Sequence, residues 1–317
     1  MSYFEHPVSV LEKFLDLTAQ GQAVALAILV GIEGGARREL GSLMAISANG
    51  ETFGSIVGGC IEAEVVTQAA DALAQQIPKR LRYGNDSPII DLRLPCDGAI
   101  DILIQPGLNV SKVQQWYTKL TNRQPVMVGF NEYDVVEIVS AEKLQDPTGP
   151  LHYIGYEPET TLRIAGTGIE CVALVELAMK VGFRVVLQST NPKDLPDFGL
   201  TNRLLFQQLK GHSTPLICPD DRWTALIVML HDIEWEVGLL KDALKGDCFY
   251  IGTVGSKANR WKRDRKLGSL GVRWADLNRV YGPIGLIQSM RSPSTLAISI
   301  LAQVIDVFRK RPEPLTL

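Results

Sequence analysis

Apolar residues near the start of the chain recur at helical spacing: Val10, Leu11, Phe14, Leu15 and Leu17 form one stripe within Val8 to Gln20. Gly21 ends that stripe, so a helix is expected there. The pattern then becomes an unbroken apolar run, Ala23 to Val30, of strand length and buried composition. Turn-rich residues Gly31 to Gly41 lead into a strand-like Ser42 to Ser47, Asn49-Gly50 marks a hairpin, and Thr52 to Val57 reads as its second arm. Cys60 to Gln76, rich in Ala, Val and Glu, reads as a helix. Leu92 to Leu94 and Ile100 to Ile104 flank a turn at Pro95-Cys96-Asp97-Gly98. Beyond Gly107 the pattern weakens to one helix (Ser111 to Leu120), short runs at Val126 to Phe130 and Val135 to Val139, and a loop at Asp146 to Pro150.

From Thr161 the periodicity is strand, glycine turn, helix, strand. Leu162 to Ala165 is apolar, Gly166-Thr167-Gly168 turns, Ile169 to Val181 is helical, and Phe183 to Leu187 is the next strand. A right-handed crossover makes those strands parallel. Thr224 to Leu230 and Cys248 to Val254 are apolar at nearly every position, as strands covered on both faces are, with a helix from about Trp235 to Leu244 between them. Ser292 as N-cap and Pro293 in the first turn open a closing helix. The fold class is therefore α/β: an α/β unit opens the chain, and a doubly wound, Rossmann-like parallel sheet closes it.

Composition narrows the function. With 317 residues and 46% hydrophobic content the chain can build two cores of ordinary size. Its longest apolar run is too short to span a bilayer, and its start lacks the features of a signal peptide, so no membrane role and a cytoplasmic location are expected. A net charge of −3 offers no broad attraction for a polyanion, which argues against nucleic acid as a partner. The cysteines are 60, 96, 171, 218 and 248, an odd number without Cys-x-x-Cys spacing, and the histidines are scattered. Neither a disulfide framework nor a protein-only zinc or iron–sulfur site follows. Oligomeric state is not written in such features, although well-packed helices with modest charge are compatible with a homodimer.

Candidate chemistry gathers at glycine turns. Gly58-Gly59 can bend sharply and place Cys60 in the first turn of a helix, where the dipole favours a thiolate while Glu62 and Glu64 oppose it. The alternative is a small residue packed in a tight turn. Gly166 and Gly168 satisfy part of a Gly-x-Gly-x-x-Gly fingerprint, but position 171 is Cys, and the second strand ends in Gln188-Ser189-Thr190-Asn191 where a ribose-binding acid is expected. An NAD(P)-dependent oxidoreductase remains the alternative reading. Gly255-Ser256 opens a further helix as an anion site, and His231 lies at a strand end where α/β sheets place ligand-binding residues.

In order along the chain these fragments resemble the XdhC/CoxI family, accessory proteins of xanthine dehydrogenase and related molybdenum hydroxylases. Arg38-x-x-Gly41-x-x-Met44 is similar to that family's Arg-x-x-Gly-x-x-Met turn, and Gly54 to Glu62 to its Gly-Ser-x-x-Gly-Gly-Cys-x-Glu signature. Tyr250 to Lys257, Gly282-Pro283-Ile284-Gly285-Leu286 and Arg291-Ser292-Pro293 resemble its Rossmann motifs. The usual Gly-Ala-Gly-His is Gly166-Thr167-Gly168-Ile169 here, and Pro95-Cys96-Asp97-Gly98 stands where the family has Cys-Gly-Gly. The resemblance implies a cysteine domain over 1–110, a connecting segment over 111–159 and a Rossmann-like domain over 160–317. It also implies a non-catalytic chaperone that binds the molybdenum cofactor (molybdopterin), assists its sulfuration by a cysteine desulfurase and delivers it to an apo molybdenum hydroxylase. Under that reading Arg38, Gly58, Gly59, Cys60, Glu62, Cys96, Gly166, Gly168, His231, Gly255 and Ser256 bind the cofactor, with Cys60 a candidate ligand to molybdenum or handler of sulfur.

Overall fold

The computed structural model describes residues 6–34, 38–87, 98–131, 135–140, 152–194, 202–211, 217–287 and 289–311, with side chains at all of these but 60, 135–140 and 257. The chain divides into two compact units, one ending at Glu159 and one beginning at Thr160.

The first unit opens with α1 (Pro7–Ala19), β1 (Val24–Glu33), β2 (Leu43–Ser47), β3 (Thr52–Gly54), α2 (Cys60–Gln75), β4 (Lys79–Gly84) and β5 (Ala99–Gln105). The strands form an antiparallel sheet in the order β3-β2-β1-β5-β4. Central β1 is apolar and buried from Val24 to Val30 because both of its faces are covered there. Val24, Leu26 and Ile28 pack with Leu11 and Phe14 of α1, while Ala25, Ala27 and Leu29 face Val65, Ala69 and Ala72 of α2. The strand runs on through Glu33, past the end its apolar run suggests, because Gly31 to Glu33 pair with Asp101 to Ala99 across a bulge. In contrast β3 stops at Gly54, short of Val57. Gly54 has φ +89° and its backbone lies so close to the Leu43 carbonyl that a Cβ has no room.

The unit continues through α3 (Val110–Thr121) and a second antiparallel sheet ordered β7-β6-β8, from β6 (Val126–Phe130), β7 (Val135–Ser140) and β8 (His152–Tyr156). Trp116 of α3 is fully buried, its ring centroid 4.5 Å from that of Tyr156 and 5.9 Å from that of Phe130. An indole of this size contributes more apolar burial than any aliphatic neighbour and pins α3 to the small sheet.

The second unit comprises β9 (Thr161–Gly166), α4 (Ile169–Val181), β10 (Arg184–Ser189), β11 (Leu204–Gln208), β12 (Thr224–Met229), α5 (Ile233–Ala243), β13 (Tyr250–Thr253), α6 (Lys257–Ser269), α7 (Trp274–Leu277), β14 (Val280–Tyr281) and α8 (Pro293–Arg309). All six strands are parallel, in the order β11-β10-β9-β12-β13-β14. Helices α4 and α8 cover one face through Leu174, Val175, Ile300 and Val304, and α5 and α6 cover the other through Val237, Leu240 and Leu267. This is the doubly wound arrangement, with strand order reversing between β9 and β12, where such sheets open a crevice at the strands' carboxyl ends. Inside the sheet Arg163 of β9 is fully buried and donates to Asp220 at 2.8 Å.

Candidate functional site

In the first unit the registers Glu33↔Ala99, Gly84↔Ala99, Ile28↔Leu43 and Met44↔Gly54 bring the loops after β1, β3 and β4 to one end of the sheet. Arg38 belongs to the first of these loops and the Gly58-Gly59 turn to the second. Arg38 Nη2 donates to Ser55 Oγ at 3.0 Å, tying the loops together. The reason for glycine at position 41, three residues on, is steric: a Cβ there would lie 2.5 Å from Ile154 Cγ2, and Gly41 O accepts from the buried Tyr156 hydroxyl at 3.1 Å. The Arg38 loop is thereby anchored to β8.

Gly58 and Gly59 take φ values of 85° and 69°, and a Cβ at either would meet nothing within 4 Å. The turn is open. Gly59 is the N-cap of α2 and supplies no side-chain acceptor, and Glu62 in the first turn accepts instead from the Ile56 N–H at 3.0 Å, upstream of the glycines. Among the described residues no acceptor faces the Gly58 or Gly59 N–H. Arg38, Gly58, Gly59, Cys60 and Glu62 thus share one end of the sheet. Cys96 lies outside the described residues, as does the Leu92 to Leu94 run; the chain re-enters the described structure at Gly98, at the same end. Ser55, the partner of Arg38, stands within the Gly54-Ser55 motif but is not singled out by the sequence pattern as a candidate.

In the second unit the loops after β9, β12 and β13 emerge side by side, since Gly166 pairs with Met229 and Val228 with Thr253. Gly166, Gly168, His231, Gly255 and Ser256 are therefore gathered along the carboxyl edge of the sheet. His231 is exposed, and the neighbouring Asp232 caps α5 through a 2.7 Å bond from the Glu234 N–H. Gly255 has φ +121°, and Ser256 caps α6 by accepting from the Asn259 N–H at 3.2 Å. Among the described residues the Gly255 and Ser256 N–H groups face no acceptor.

The Gly166 to Gly168 turn differs. Its Gly168 N–H donates to Asp194 Oδ1 at 3.0 Å, and Asp194 Oδ2 accepts from the buried Ser189 hydroxyl at 2.6 Å. Ser189 Oγ in turn accepts from the Asn191 N–H at 3.0 Å. Asp194 sits in a 3-10 turn (Pro192–Asp194) beyond the end of β10 and is 6% exposed. An acid is present near the glycine turn after all, but it comes from past the strand end, where no local pattern marks it.

Cys171, in place of the third glycine, is buried with its Sγ 2.9 Å from where a Gly166 Cβ would stand, so it fills the helix–sheet contact. Burial, followed by the Asp194 charge, pushes its thiol up to about 12. Burial also raises Cys248. Both stay protonated at neutral pH and are packing residues. Among the described residues no group of three or more His, Cys, Asp and Glu is placed to hold a metal ion, and no described helix is long and apolar enough to cross a membrane.

Residues 162–304 match the XdhC Rossmann domain, and residues 17–84 match the XdhC and CoxI family. Over 94% of its length the chain is 27% identical to the molybdenum cofactor insertion chaperone PaoD of Escherichia coli (strain K12), covering 88% of that protein. It is 26% identical to a probable xanthine dehydrogenase subunit of Bacillus subtilis (strain 168), over 93% of this chain and 96% of the relative. The crystal structure of a xanthine dehydrogenase from Bacillus halodurans superposes with a TM-score of 0.74 at 22% identity, over 100% of this chain and 98% of that one, and so shares its fold.

Proposed function

This chain belongs to the XdhC and CoxI family, and from that premise we propose that it is a chaperone of the molybdenum cofactor. It binds the cofactor, assists its sulfuration and inserts it into a xanthine-dehydrogenase-type hydroxylase, without catalysing an oxidoreduction of its own. The cofactor is cargo here. Its pterin dithiolene already gives molybdenum two sulfur ligands, so the protein need add only a thiolate and donors for the anionic end, and a cluster of protein ligands is unnecessary. The observation that carries the reading is the Gly58-Gly59 turn, which has open space at both positions and, among the described residues, no acceptor on either N–H, and which leads directly into Cys60 at the start of α2. Arg38, held by Ser55 at the same sheet end, is suited to a charge-assisted bond to a phosphate. Cys60 and Cys96 are the thiols assigned to metal or persulfide sulfur, and His231, Gly255 and Ser256 to a phosphate or nucleotide on the second unit. A cysteine desulfurase as sulfur donor, a homodimeric state and a cytoplasmic setting complete the proposal.

The experiment is anaerobic co-expression with a molybdenum cofactor pathway, then metal and pterin analysis of the purified protein and of Cys60→Ala. Pterin with molybdenum on the unmodified chain, and its loss from the variant, is the expected result. Equal pterin on both removes Cys60 from the mechanism, and none on either defeats the reading.

A further inference from the structure

We propose that Asp194 is a resident anion that closes the Gly166 to Gly168 turn to phosphate, so that this Rossmann unit rejects pyrophosphate-bridged dinucleotides where such units ordinarily hold them. The inference concerns the second unit alone and stands or falls independently of Cys60 and its cargo.

In a nucleotide-binding unit of this topology the pyrophosphate lies against the amides of the glycine turn at the N-terminus of the first crossover helix. Here Gly168, the N-cap of α4, already donates its N–H to Asp194 Oδ1 at 3.0 Å. The carboxylate is held in place from its other oxygen by the buried Ser189 hydroxyl at 2.6 Å, and that hydroxyl is itself oriented by the Asn191 N–H. A phosphate approaching the turn would have to share one N–H with a like charge that is 6% exposed and cannot swing into solvent without leaving the buried Ser189 hydroxyl proton without its acceptor. The Asp194 charge also neutralises the positive end of α4, the other half of what attracts phosphate to such a turn. Nothing of the kind faces the Gly255 and Ser256 N–H groups on the same sheet edge among the described residues. The strand end thus offers no acid to a ribose, while the nearby acid, Asp194, occupies the amide that a phosphate needs.

The test titrates pyrophosphate into the full chain and into Asp194→Asn and Asp194→Gly, following thermal stability and hydrogen exchange in the peptide that contains Gly168. The wild type is expected to show no change in exchange at Gly168 at saturating pyrophosphate, while either variant gains affinity by about tenfold or more, the worth of one charge-assisted bond restored. Slowed exchange at Gly168 in the wild type overturns the proposal, as does a folded variant that binds pyrophosphate no better than wild type. Should neither variant fold, the wild-type exchange measurement decides alone, unchanged exchange supporting the closed turn and slowed exchange refuting it.

Discussion

The turn before α2 and the turn before α4 both end in a glycine N-cap with positive φ, Gly59 at 69° and Gly168 at 82°, and neither cap has a side chain to bond the first amides of its helix. Each has a carboxylate close by. Glu62 reaches back to the Ile56 N–H and leaves the glycines clear, whereas Asp194 takes the Gly168 N–H itself. Cys60 heads a helix whose entrance is open, and Cys171 is buried beneath Gly166. A glycine turn ahead of a helix is thus an anion site only where the nearest acid points elsewhere, and that direction is a tertiary property.

The largest expected effect is chemical. At pH 8, Cys171 should alkylate with iodoacetamide about a thousandfold more slowly than a free thiol, because a pKa pushed up to about 12 leaves correspondingly little thiolate. Mass spectrometry of a labelling time course reads it, and Cys171 reacting at the pace of glutathione would erase the contrast between the turns. Next in size are the glycines of the first unit. Gly54→Ala is expected to cost about 3 kcal/mol in urea unfolding, combining a left-handed backbone with a collision against the Leu43 carbonyl. Gly59→Ala, with the same sign of φ but free space around it, should cost only about 1–2 kcal/mol. Equal losses would mean that the turn is packed rather than open. The smallest effect belongs to Glu62→Gln, which keeps an oxygen for the Ile56 N–H but removes a charge from the first turn of α2, at about 0.5–1 kcal/mol. Its loss should shrink further in high salt, and a salt-independent loss would assign Glu62 a packing role instead.

Elements whose signal is local are legible in the sequence itself. The stripe of α1, the apolar run of β1, the Asn49-Gly50 hairpin and the Ser292-Pro293 start of α8 each declare themselves within a few residues, although the Ser292 side chain makes no cap bond. Strand β4 does not, because Lys79-Arg80-Leu81-Arg82-Tyr83-Gly84 has too many charges to read as a strand until its partners are known. Arg82 lies opposite Asp101 on β5 and bonds it at 3.0 Å, with Glu33 of β1 at 2.7 Å. The site divides in the same way. The Gly-Gly-Cys turn and Arg38 stand in short motifs, and the sheet register explains why they meet at one end. Asp194 follows Pro192-Lys193 in an unremarkable stretch, and its role exists only because the end of β10 lies beside the turn that follows β9.

Asp194 has one more consequence, for supply. A helix N-terminus that relies on a bound nucleotide for its counter-ion is stabilised in proportion to the nucleotide present, by linkage. Here the counter-ion is translated with the chain, one per molecule, and is fixed in place by Ser189. The start of α4 therefore does not depend on a bound nucleotide for its counter-ion.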